Sequence, residues 1–253
     1  MGARWMPRGA LIHWLAFSAT LSTLMSLRHH LAAVAFAFLF AACAKQPPAQ
    51  SAALDSAKAG PDTALQRADK ARIQGSENAK VWLVIASDFQ CPYCRDFHDD
   101  VYKRILEDYV APGKVRVAYV NHSMAGHVHA VISAEAAMCA GMQDRFWPMH
   151  DALFATQTHW SQLQDPRPVF DSLATSLKLR LPDWRGCMTS HTTLPMIEAD
   201  DARTRAGGVT GTPSFFIGNT LAVVGAEPYP KFRAALDSAL AHAGPPSGGG
   251  RLP

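Results

Sequence analysis

The sequence predicts an α/β fold in which a block of helices interrupts the alternation of strand and helix. Three observations carry this. An apolar run from Val81 to Ala86 leads into Cys91-Pro92-Tyr93-Cys94 and then into apolar residues at helical spacing. From 127 to 206 the patterning is helical, with no strand signal. β signals return only at Ser214, and a last amphipathic stretch follows them.

Taken in order, Val81-Trp82-Leu83-Val84-Ile85-Ala86 is short, continuously apolar and rich in β-formers, which reads as a buried central strand. Phe97, Val101, Ile105 and Tyr109 fall four apart and make one helical stripe, which Pro112-Gly113 ends. Val115 to Val120 reads as a second strand. Ala130 to Met142, rich in Ala and Met, opens the helical block, and Phe146, Met149 and Leu153 form the next stripe. Shorter helices are expected over Val169 to Leu179 and Trp184 to Ser190, and a longer one over Leu194 to Ala206, closed by Gly207-Gly208. Ser214 to Ile217 is a strand, Gly218-Asn219-Thr220 a turn and Leu221 to Ala226 a further strand. Phe232, Leu236 and Leu240 stripe a final helix ahead of a Pro/Gly tail. The expected organisation is a signal peptide over 1–42, a tether over 43–62 and a domain in two parts, 63–126 and 207–243. A helical insertion over 127–206 separates the two parts, and a disordered tail covers 244–253. The order strand-helix-strand, helical insert, strand-strand-helix is the thioredoxin arrangement.

A length of 253 residues suits one domain with an insertion. The chain carries 24 basic and 21 acidic residues, and Arg4, Arg8 and Arg28 lie in 1–42, where there is no acid. The remainder is therefore neutral, 21 against 21, which argues against a nucleic-acid surface. Arg28-His29-His30 precedes the apolar run Leu31 to Ala42, which has the length of a signal-peptide core and is too short to span a bilayer. Small residues in Ala41-Ala42-Cys43 look like a lipobox, in which Cys43 is lipidated. Plain cleavage after Ala42 and an uncleaved anchor are the alternatives. A second apolar stretch, Ala10 to Met25, lies upstream, and Met25 to Cys43 alone makes a complete signal. The Ala/Pro/Gln/Ser-rich segment 44–62 reads as a tether. The expected location is the periplasm or cell envelope, lipid-anchored at Cys43.

The chemistry centres on Cys91-Pro92-Tyr93-Cys94. A dithiol just after a strand and at the start of a helix places Cys91 at the helix N-terminus, with Pro92 at the first helical position, where a missing N–H costs nothing. Free N–H groups and the helix dipole stabilise a thiolate there. They lower its pKa from about 8.5, to about 3.5 in the most oxidising proteins of this kind. Only the reduced pair carries the thiolate, so this makes the disulfide a stronger oxidant, by about 30 mV per 1.4 kcal/mol. Cys91 is then the exposed nucleophile and Cys94 the buried resolving thiol. A structural CxxC disulfide is one competing reading. A metal site of Cys91, Cys94 and His98 is another, though tetrahedral zinc needs a fourth ligand and the chain has no second CxxC. Gly211-Thr212-Pro213 precedes a strand. Proline can hold a cis bond, and Pro213 facing Cys91 would leave the Thr212 backbone free to pair with a substrate strand. Cys139 and Cys187 both fall in the helical block. They read as buried free thiols or, in an oxidising compartment, as a structural disulfide, which is favoured. Phe146, Trp147, Phe154 and His150 read as core, and Asp99-Asp100 and Asp200-Asp201 as solvated faces.

Ser87-Asp88-Phe89-Gln90-Cys91-Pro92-Tyr93-Cys94, the helical insert and Gly211-Thr212-Pro213-Ser214-Phe215-Phe216 together resemble the DsbA-like thioredoxin family over roughly residues 70–242. His127 and the run Phe146-Trp147 to Met149-His150-Asp151 resemble that family's insert. Ile85 stands where many thioredoxin-fold proteins carry a buried acid. The resemblance implies an α/β, thioredoxin-like fold with an inserted helical subdomain and a thiol:disulfide oxidoreductase that oxidises thiols of exported proteins. It also implies a membrane partner that recycles the CxxC. The exchange itself needs no cofactor or metal. Cys91, Cys94 and Pro213 would be catalytic, and Pro92, Tyr93 and Thr212 would touch substrate. Reductases and isomerases share these residues, but isomerases of this fold carry a dimerisation domain for which 44–62 leaves no room. The signal segment and long insert speak against a cytosolic glutaredoxin. A metal-delivery lipoprotein using Cys91, Cys94 and His98 is the rival from another class.

Overall fold

The computed structural model describes residues 63–244. The signal segment, Cys43, the tether over 43–62 and almost all of the 244–253 tail lie outside the described residues.

The first element is one that apolar patterning does not announce. Helix α1 (Ala64–Ala71) is opened by a capping box, in which the Thr63 hydroxyl accepts from Gln66 N at 3.2 Å and the Gln66 side chain accepts from Thr63 N at 2.7 Å. A two-residue strand, β1 (Ile73–Gln74), follows and pairs antiparallel with β3 (Val115–Asn121). β2 (Val81–Ser87) is buried along its whole length except at the half-buried Trp82, as its continuous apolar run requires for a central strand. Between β2 and β3 runs helix α2 (92–110). It begins as an α-helix over Pro92–Phe97, then passes through two π-helical stretches, His98–Tyr102 and Leu106–Val110. β2 and β3 pair in parallel, Leu83 opposite Val117 and Ile85 opposite Tyr119. β4 (Ser214–Ile217) and β5 (Thr220–Val224) complete the sheet antiparallel, in the order β1-β3-β2-β4-β5. β5 begins one residue earlier and ends two earlier than its sequence pattern suggests.

Six helices separate β3 from β4: α3 (Ala130–Gly141), α4 (Phe146–Ala155), α5 (Gln157–Trp160), α6 (Arg167–Ser176), α7 (Leu181–Thr189) and α8 (Leu194–Ala206). Helix α9 (Tyr229–His242) closes the fold. α3 is Ala-rich because helices crowd it on several sides, and Ser133 to Gly141 are all buried. At Gly141 a Cβ would stand 3.3 Å from the Ala68 Cα of α1, so a larger residue would push the two helices apart. Among the described residues no helix is long and apolar enough to cross a membrane.

Two main cores result. Leu83, Ile85, Val115, Val117 and Phe215 on one sheet face pack against Phe97, Val101 and Ile105 of α2 and Phe232 and Leu236 of α9. The second core lies within the helices, around Phe146, Met149, Leu153, Trp160 and Phe170, and reaches Cys91 and Cys94. Phe146 and Phe154 are buried as expected, and so is His150. Asp200 corrects the sequence reading of Asp200-Asp201 as a solvated face, because its exposure is 0%. It pairs with Arg72, itself 2% exposed, and with Arg203, and accepts from Asn121 N at 3.2 Å and Asn121 Nδ2 at 2.9 Å. A buried carboxylate survives only with such partners. Cys139 and Cys187 form a disulfide that ties α3 to α7, with Cα atoms 5.9 Å apart, so the free-thiol alternative falls.

Candidate active site

Cys91 is the N-cap of α2, with φ −71° and ψ 122°, and its carbonyl accepts the first helical bonds from Cys94 N at 3.1 Å and Arg95 N at 3.3 Å. Pro92 is at the first helical position, as its lack of an N–H favours. Both cysteines are thiols, one turn apart on α2. Cys91 is less open than the sequence suggests: its exposure is 4%, against 1% for Cys94. The neighbouring Tyr93 is 63% exposed and Pro92 is exposed. The accessible surface around the reactive sulfur is therefore that of residues 92 and 93.

The two thiols titrate apart. The hydrogen bond from the Cys94 side chain, with further ones from the backbone N–H groups of Cys94 and Tyr93, draws Cys91 down from an ordinary 9.0 to about 6 against the opposing effect of burial. Burial pushes Cys94 well up, and hydrogen bonding to Cys91 adds to this. Across from the pair the Thr212–Pro213 bond is cis, and the Cys91 thiol donates to Thr212 O at 3.4 Å. The structure thus brings Cys91, Cys94, Thr212 and Pro213 together, with Pro92 and Tyr93 at the rim.

Sequence reasoning missed the groups that hold the reactive loop. The buried Asp88 carboxylate accepts from Gln90 N at 2.8 Å, Met124 N at 2.9 Å and His127 Nδ1 at 2.7 Å. The Gln90 side chain accepts from His129 N at 2.6 Å. Gln157, on α5, donates to Phe89 O at 2.6 Å and to Cys91 O at 2.9 Å. Asp88 stood in the sequence three residues before Cys91, but nothing in the pattern around Gln157 pointed to the loop, 66 residues away. His98 does not join the cysteines as the metal reading supposed. Its Nδ1 lies 2.8 Å from Asp99 and its Nε2 3.2 Å from Asp151.

A parallel strand–helix–strand unit with a dithiol at the helix N-terminus, faced by a cis-proline loop, defines the thioredoxin-fold class. The chain belongs to the thioredoxin family: the family model described as Thioredoxin matches residues 67–238. It is similar to disulfide bond formation protein D of Bacillus subtilis, 24% identical over 149 residues, which are 57% of this chain and 66% of that protein. It is also similar to the Na(+)/H(+) antiporter NhaA 3 of Salinispora tropica, 33% identical over 152 residues, 59% of this chain and 22% of that one. The chain thus spans just under two thirds of the first relative's length and about a fifth of the second's. Among solved structures, oxidised BdbD from Bacillus subtilis superposes with a TM-score of 0.62 at 22% identity, covering 67% of this chain and 92% of BdbD.

Proposed function

We propose that this protein is an exported thiol:disulfide oxidoreductase that oxidises the thiols of exported proteins through Cys91 and Cys94. The observation that carries the reading is the split between the two thiols, Cys91 lowered to about 6 and Cys94 buried and raised. A substrate thiolate attacks the Cys91 sulfur of the oxidised pair, and Cys94 leaves as a thiolate that takes up a proton. A second substrate thiolate then attacks the mixed disulfide, forming the substrate disulfide and expelling Cys91 as its thiolate. Two electrons pass from substrate to the pair. Pro213 and the Thr212 backbone flank the mixed disulfide, and Tyr93 and Pro92 offer the surface a substrate meets. A membrane partner re-oxidises the pair in this reading, the lipid at Cys43 holds the protein at the envelope, and no cofactor takes part.

The leaving tendency of Cys91 favours this direction. At pH 7 a thiol lowered to about 6 stabilises the reduced pair by on the order of 1 kcal/mol. That raises the reduction potential by on the order of tens of millivolts. The test is the potential of the pair, measured against glutathione, together with oxidation of a reduced, unfolded protein. Oxidation lost in Cys91→Ser and a potential toward about −120 mV support the proposal. A potential near about −270 mV makes the protein a reductase.

A further inference from the structure

One turn beyond Cys94, α2 and α4 meet at a group of three side chains that the disulfide chemistry does not use. His98 comes from α2, His150 and Asp151 from α4. One donor atom of each lies within 4.8 Å of the other two. The Asp151 carboxylate oxygen is 2.8 Å from His150 Nδ1 and 3.2 Å from His98 Nε2. The two imidazole rings stand 5.3 Å apart at 64°. His150 is held in a closed aromatic box, with Trp147 and Phe154 both edge-on at 5.0 Å and Tyr119 at 5.3 Å. Its donor atom therefore has a fixed position. The Asp151 side chain is 60% exposed, so the group opens to solvent on that side.

Both ring nitrogens of His98 face carboxylates, Nδ1 that of Asp99 and Nε2 that of Asp151. An imidazolium donates to both, whereas a neutral ring with its N–H toward Asp99 offers a lone pair at Nε2. A divalent cation bound at Nε2 therefore takes the place of a proton. In a metal site a second carboxylate on the far nitrogen of a ligating histidine is the usual orienting group, and Asp99 stands there.

We infer that His98, His150 and Asp151 form a binding site for a single divalent cation of the zinc class. Two imidazoles and one carboxylate suit a borderline cation over calcium or magnesium. Three protein ligands and an open face leave the fourth position to water. On a tetrahedral cation with bonds of about 2.0–2.1 Å the donors lie about 3.3 Å apart. Two of the three separations, 2.8 and 3.2 Å, lie near that spacing, and the two histidine nitrogens stand within 4.8 Å of each other. A bound cation bridges α2, the helix that carries Cys91 and Cys94, to α4 of the helical block.

The test uses the full-length protein without a histidine tag, metal-stripped, with the Cys91–Cys94 pair oxidised and any remaining thiol alkylated, so that no sulfur competes. Zn2+ is titrated calorimetrically, and Co2+ is added for its visible absorption. One Zn2+ per chain at micromolar affinity or better is expected, with a Co2+ spectrum of nitrogen and oxygen ligation. Asp151→Asn, on an exposed side chain, and His98→Gln, on a partly buried one, should each weaken binding at least tenfold while circular dichroism stays unchanged. His150 is left intact because its loss would disturb the core. No binding below millimolar Zn2+, or binding that both variants retain, overturns the site.

Discussion

At the scale of single residues, Cys91 and Cys94 divide one task by their surroundings. Cys91 collects hydrogen bonds at a helix start, and Cys94 is sealed beneath it. The lowered thiol makes the reduced protein's stability depend on pH. A group whose folded pKa is depressed contributes stability that is fully present above its unfolded value and is lost as pH falls through the folded one. Reduced protein, compared with reduced Cys91→Ala, should therefore gain about 1.4 kcal/mol per pH unit from about pH 6 toward 9. Above that the raised Cys94 works in the opposite sense. Denaturant unfolding at several pH values checks the slope, and thiolate absorbance checks the midpoint near 6. Gln157→Ala removes the side-chain donor to the Phe89 carbonyl and one of the three donors to the Cys91 carbonyl, which keeps Cys94 N and Arg95 N. A loss on the order of 2 kcal/mol in unfolding free energy is expected, with a change in the alkylation rate of Cys91. These residues differ in how far the sequence revealed them. The dithiol and Thr212-Pro213 carry local signatures. Gln157 is a polar residue of ordinary appearance whose role comes from a contact 66 residues away.

At the scale of elements, the long strands and helices were legible because burial imposes period. β2 is buried on both faces and reads as an unbroken apolar run, and α2 packs one stripe against the sheet. α1 and β1 were not legible. α1 buries only Ala68, and β1 is two residues long, so neither leaves a periodic trace. The Thr63–Gln66 capping box was the available signal, and it sits at the end of a low-complexity tether. The disulfide between α3 and α7 closes 48 residues of sequence separation. Replacing both Cys139 and Cys187 by Ala should lower stability by about 2–5 kcal/mol. Unfolding in denaturant measures this, and the potential of the Cys91–Cys94 pair should stay unchanged in the same variant.

At the scale of the whole molecule, the N-terminal segment, the sheet and the helical block are joined by one buried charge group. Arg72 follows α1, Asn121 ends β3, and Asp200 on α8 binds both. Charge-rich residues normally lie outside, so pattern reading assigns Asp200 to solvent. Only the assembled fold supplies the partners that let it be buried. Asp200→Ala leaves the buried Arg72 guanidinium with Asp69 as its one carboxylate partner and takes the acceptor from Asn121 N and Nδ2, and a loss of about 3–5 kcal/mol is expected. Thermal unfolding of the variant against the parent checks it, and the loss should be smaller when Arg72 is replaced by Met in the same chain, the remainder coming from the Asn121 donors.

The bond from Gln157 to the Cys91 carbonyl also has a mechanical meaning. The reactive loop is fastened to the helical block at a backbone atom, so a swing of the block away from the sheet would drag the loop with it or tear two hydrogen bonds first. A chimera that transplants the reactive loop alone into another scaffold would arrive untethered. One that carries α5 along would keep its sulfur aimed.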